Sequence, residues 1–252
     1  RGNPGPDFVG RRRMPPTDEI WAWIPATQER PDLFGGGGLV RAADADNTRG
    51  GAAARAAGFL RERGVTRLLW TFEKEGLPLV EALHKVTGLP VCPVVPNMAT
   101  YARDTRDRGL VGAALDRFLG LSLGAMARVC WGALPAAPDI LRKDFAVGVC
   151  LLAEMELARF GRFGPTAAFL HNQMTDLAMA FDNARLFDRF ARLARRYGLE
   201  AGLVTCNFGH LAARLAAWGV SPDRIVAPFN DKGYLMYPDR AACERLLPDR
   251  LG

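Results

Sequence analysis

The sequence predicts an α/β fold, a (β/α)8 TIM-type barrel, on three observations. From Asn47 onward, runs of helical composition that stop at a glycine alternate with short apolar runs, the rhythm of a parallel sheet covered by helices. Several apolar runs break into polar residues at their C-terminal ends: Asn97 after Val94-Val95, His171 after Phe169-Leu170, Asn207 after Thr205-Cys206 and Asn230 after Pro228-Phe229. A barrel brings such ends to one mouth. No G-x-G-x-x-G fingerprint is present, which counts against a doubly wound sheet while leaving it open. A barrel of 252 residues is one domain. It is predicted over 18–252, irregular at its start and with a helical insertion in its middle, after an irregular segment 1–17.

Segment 1–17 is rich in Gly, Pro and Arg without periodicity. Ile20–Ile24 is a short apolar run that fits a strand or a packed loop, and Gly35–Gly38 lacks the spacing of a phosphate loop and reads as a turn or linker. Ala52–Arg63 is helical, ends at Gly64 and leads into the strand Leu68–Phe72; Pro78–Lys85 is the next helix, closed by Gly88. Pro90–Pro96 is the next strand, and its prolines predict a bulge or a short ladder. The middle is helical over Leu110–Phe118, Leu123–Trp131 and Asp139–Phe160, so either a strand hides near Ala127–Trp131 or helices are inserted. In its last helix Ile140, Phe145, Val149, Leu152, Met155 and Leu157 form a core-facing stripe.

The last third is regular. Thr166–Leu170 is a strand, Thr175 fits as the cap of a helix from Asp176, and Ala184–Tyr197 is a second helix stopped by Gly198. Gly202–Cys206 is the next strand and Gly209–Trp218 its helix. After the turn Ser221-Pro222-Asp223, the run Ile225–Phe229 reads as the closing strand, and Arg240–Leu247 as a final helix.

Composition narrows the function classes. The formal charge is +6, but basic residues alternate with Asp and Glu, and the dense run Arg11-Arg12-Arg13 sits in the irregular start, so nucleic acid is not an expected partner. No apolar run is long enough to span a membrane and no leader pattern is visible, so the expectation is a cytoplasmic protein without a membrane partner. Five scattered cysteines without a C-x-x-C pair speak against a disulfide framework or a zinc knuckle. The oligomeric state is open, a homo-oligomer included.

The candidate chemistry lies at the strand ends. Lys74, Lys85, Lys143 and Lys232 are the four lysines; 33 basic residues less these four leaves 29 arginines. A lysine kept against that bias suits chemistry a guanidinium does not perform, and Lys232 is the candidate for an imine or an anion contact, with a surface pair to Asp231 as the plain alternative. His171 is the candidate proton shuttle and Glu73 a second acid or base at the mouth, with a core histidine as the alternative for the first. Asn97, Asn207, Asn230 and Gln173 are candidate substrate-binding amides, and His210, one turn after Asn207, reaches toward the same mouth; each amide is also a good turn residue. His84 is expected at the surface. Asp44, Asp46 and Asn47 are a weak metal signal, and three histidines without H-x-H argue against a zinc centre. No cofactor is expected, while a divalent ion on carboxylates stays open.

In the final third, Phe169-Leu170-His171, Thr175-Asp176-Leu177-Ala178, Asn207-Phe208-Gly209 and Pro228-Phe229-Asn230 with Gly233-Tyr234 and Met236 resemble a group of uncharacterised barrel proteins of the aldolase-like type. The resemblance implies the barrel and no established activity. The expected function is a lyase or isomerase acting on a small oxygenated, anionic metabolite. The rivals are a non-catalytic small-ligand-binding or accessory protein and a carboxylate-metal barrel using Glu73, His171 and His210.

Overall fold

The computed structural model describes residues 20–24, 49–73 and 76–247. Segment 1–17, the run Gly35–Gly38, the cluster Asp44, Asp46 and Asn47, and Lys74 lie outside the described residues. The strands are β1 (Ile20–Ile24), β2 (Val65–Thr71), β3 (Val91–Val95), β4 (Ala167–Leu170), β5 (Glu200–Val204) and β6 (Arg224–Val226). The helices are α1 (Arg49–Glu62), α2 (Leu77–Thr87), α3 (Met98–Leu119), α4 (Leu123–Ala133), α5 (Ala137–Leu141), α6 (Phe145–Leu157), α7 (Asn172–Ala180), α8 (Ala184–Arg196), α9 (Phe208–Trp218) and α10 (Arg240–Arg245).

All strands are parallel and neighbours in space follow the chain order, β1-β2-β3-β4-β5-β6. Right-handed crossovers that always advance in one direction leave the helices on one face, so the sheet curls as a barrel wall does. It does not close. Strands β2–β6 form a curled half-barrel with β1 added at its edge, and among the described residues nothing joins β6 back to β1. The closed eight-strand TIM barrel predicted from the sequence is thus corrected to an open α/β half-barrel. The physical reason lies between β3 and β4, where the chain forms α3, α4, α5 and α6 and no strand. The stretch near Ala127–Trp131 is helix, and the loss of strands there removes the arc that closure needs.

Strand alternation divides the core. Leu69, Cys92, Val94, Ala167, Phe169 and Val204 pack together on the concave face. The convex face is split: Leu68, Trp70 and Val91 meet α1 and α2, while Val95, Ala168, Leu170, Ala201 and Leu203 meet α6 to α9. Pro93 sits inside β3, where every residue is buried. β3 pairs with β2 from Val91 to Val94 but with β4 only at Val94 and Val95, beyond the proline that lacks an N–H. Gly202 of β5 lies under the Phe169 ring, so that a Cβ there would run into the ring carbons.

The stripe expected over Ile140–Leu157 is realised in part. Val149, Met155 and Leu157 are buried, whereas Ile140 and Phe145 are exposed because a turn at Arg142–Asp144 separates α5 from α6. Asp144 caps α6, its carboxylate accepting from Val147 N.

Candidate functional site

His171 is the first residue after β4 and the N-cap of α7. Its N–H still reaches across the sheet to Val95 O at 2.9 Å, so the ladder fixes its backbone. The ring is buried, and its Nδ1 accepts from Gln173 N at 3.3 Å. Burial holds the imidazole down at about 4, well below its usual range. It is therefore neutral at pH 7, and an Nδ1 that accepts a backbone N–H leaves the proton on Nε2. No group among the described residues takes that Nε2–H, and Nε2 is not one of the buried atoms left without a partner, so the ring presents one donor that solvent can reach. The helix begins at His171 rather than near Asp176; Thr175 lies inside it and gives its hydroxyl to Leu170 O and His171 O.

The end of β5 sits beside this cap. Asp176 of α7 accepts from Thr205 Oγ1 at 2.6 Å and from Cys206 N at 3.4 Å, and Asn172 Nδ2 donates to Cys206 Sγ at 3.6 Å. These contacts lock α7 to β5. Burial, and then the Asp176 carboxylate, push the Cys206 thiol up, so it stays protonated at neutral pH and is no nucleophile. Gln173 lends its backbone N–H to the site while its side chain is exposed.

Glu73 is buried just past β2. The register aligns Thr71, Val94 and Phe169 in one row. Glu73 follows two residues beyond Thr71, past the end of β2, and His171 directly follows β4, so both belong to the carboxyl end of the sheet. Asn97, after β3, is buried but fully used: it donates to Phe72 O at 3.0 Å and accepts from Thr100 N at 3.3 Å as the cap of α3. Its N–H in turn donates to both oxygens of Glu156, a buried carboxylate that also meets Arg117 at 3.4 Å. Burial pushes Glu156 up to about 7, against the pull of the Asn97 N–H, Arg117 and Arg159.

No hydrogen bond among the described residues links the remaining candidates to His171. β6 ends at Val226, so no strand continues to carry Asn230 and Lys232 on one face. Asn230 instead organises a turn, accepting from Lys232 N and Tyr234 N and donating to Tyr234 O at 2.7 Å. Lys232 is exposed on that turn. Asn207 is the N-cap position of α9 but its side chain makes no capping bond. His210 is exposed and stacks on Tyr237, ring centroids 4.4 Å apart. His84 is half-buried, its Nδ1 2.8 Å from Leu89 O. Among the described residues no three His, Cys, Asp or Glu side chains gather as a metal site would need.

No family model matches this chain, and no curated protein or solved structure does either.

Glu154 and Glu156 were missed from the sequence, although α6 offered a signal. Phe145–Leu157 is otherwise uncharged, and two carboxylates in so apolar a helix must find partners indoors. Asp176 was missed because a carboxylate near a helix start is unremarkable without its Thr205 contact.

Proposed function

We propose that the carboxyl ends of β2–β5 bind a small oxygenated, anionic metabolite, and that the chain catalyses its enolisation as part of an isomerase or lyase reaction. The unused Nε2–H of the buried, neutral His171 is the observation that carries this reading. A neutral imidazole polarises a carbonyl by donating without giving up its proton. Glu73, at the same end of the sheet, takes the proton from the carbon next to the carbonyl: the C–H pair becomes the C=C, the carbonyl π pair moves onto the oxygen, and the enolate oxygen is held by the His171 N–H. The N-termini of α7 and α9 both open at this end of the sheet and favour an anionic group.

The test is hydrogen–deuterium exchange into 2-oxo acids and phosphorylated aldoses and ketoses in D2O, followed by NMR. Wild type is expected to exchange a carbon-bound proton of at least one compound, with a loss of about 100-fold or more in His171→Phe and Glu73→Gln. Exchange that survives both substitutions removes the reading, and tight binding without exchange favours the non-catalytic alternative.

A further inference from the structure

A cleft of about 440 Å³ lies in the outer helical layer among α4, α5, α6 and α8, sharing no residue with the strand-end site. Its size is that of a small-molecule site. Ile140, Val147, Leu151 and Leu193 give it an apolar wall, and Arg189, Arg192 and Arg196, one stripe of α8, give it a basic one.

The three arginines are not equivalent. Arg196 is bound to Glu154, the cleft's own carboxylate, at 2.5 Å, and Tyr197 O–H donates to the same carboxylate at 3.2 Å. The guanidinium of Arg196 lies directly against Gly132 of α4, where a Cβ would come to 2.5 Å from it, so a larger residue at 132 would displace this flexible side chain. Arg189 gives one nitrogen to Asp139 at 2.6 Å, but its Nε–H is buried with no acceptor among the described residues. Such an unmet donor costs free energy that a bound anion would recover. Arg192 pairs with Asp188 on the exposed surface, a contact weak enough to exchange for a ligand. One basic end therefore has spare hydrogen-bonding capacity, while Glu154 and Asp139 keep the net charge too low for a dianion.

We propose that this cleft binds an amphipathic monoanion: a carboxylate held by Arg189 and Arg192, carrying an apolar chain or ring against Leu151 and Leu193. The planar guanidinium of Arg189 suits a carboxylate, and Arg→Lys removes the Nε–H while keeping the charge.

Calorimetric titration of the full chain with octanoate, octanol and inorganic phosphate tests this. Octanoate is expected to bind with a Kd on the order of 10⁻⁴ M, and octanol and phosphate at least tenfold more weakly. Arg189→Lys weakens octanoate at least tenfold, and Leu151→Trp, which fills the apolar end, abolishes binding; thermal melting verifies that each variant is folded. Absence of octanoate binding up to about 10 mM overturns the proposal. So does octanol binding as tightly as octanoate, or unchanged octanoate affinity in Arg189→Lys, which decides the matter even if Leu151→Trp does not fold.

Discussion

Glu156 and His171 are both buried titratable groups, and in both burial disfavours the charged form, but their hydrogen bonding is completed to different degrees. Glu156 receives the Asn97 N–H on both oxygens and has Arg117 beside it. His171 has one nitrogen engaged and one donor left over. A buried polar group with every valence met belongs to the fold. One with an unmet donor at the mouth of a sheet is where a ligand has something to complete. The same contrast separates the asparagines: Asn97 and Asn230 are spent on the chain's own backbone, whereas the Asn207 side chain caps nothing.

The largest effect is expected at the closed centre. Glu156→Ala leaves the Asn97 N–H without its acceptor and takes a buried carboxylate from beside Arg117, and should cost about 3–5 kcal/mol in a urea melt. Glu156→Gln, which keeps an acceptor, should cost clearly less; equal losses would mean that packing rather than pairing holds this junction. Next is the floor of the open centre. Gly202→Ala drives a methyl into the Phe169 ring and should cost about 1–3 kcal/mol, with Phe169→Leu in the same chain restoring part of it.

The two centres also pull stability in opposite directions with pH. Glu156 rises from 4.5 to about 7 on folding, so its contribution is full below pH 4.5 and is lost as pH climbs through 7. His171 falls from 6.5 to about 4, so its contribution is full above pH 6.5 and is lost as pH drops through 4. Across their shared window the two slopes oppose each other, each about 1 kcal/mol per pH unit. Removing His171 as Asn should unmask stability that falls with rising pH, and Glu156→Gln should unmask the reverse; melts of both variants between pH 4.5 and 6.5 read the signs directly. The smallest effect separates the asparagines: Asn230→Ala should cost about 1 kcal/mol through its turn, and Asn207→Ala a few tenths.

The parallel sheet, its covering helices and five of its strands were legible in the sequence because glycine stops and apolar runs are local signals. Ile20–Ile24 is too short to distinguish strand from packed loop by pattern, and its pairing with β2 is what makes it a strand. The count of strands was not legible. Closure depends on whether the chain between Asn97 and Thr166 returns to the sheet, and amphipathic helices there fit an insertion in a closed barrel as well as an open half-barrel. At the site, His171 was visible as a polar strand end, but its tautomer depends on the Gln173 N–H, a contact no residue pattern announces. Lys232 stands out by rarity, which is a property of composition; its exposure follows from β6 stopping after three residues.

That early stop also bears on what the molecule avoids. An open parallel sheet presents unpaired edges, and such an edge can recruit a strand from another copy. β6 offers only Arg224–Val226, and Pro228, close behind, cannot donate to a ladder. A second chain could therefore extend the sheet at this side by no more than a few residues, so an open half-barrel can persist without templating its own aggregation there.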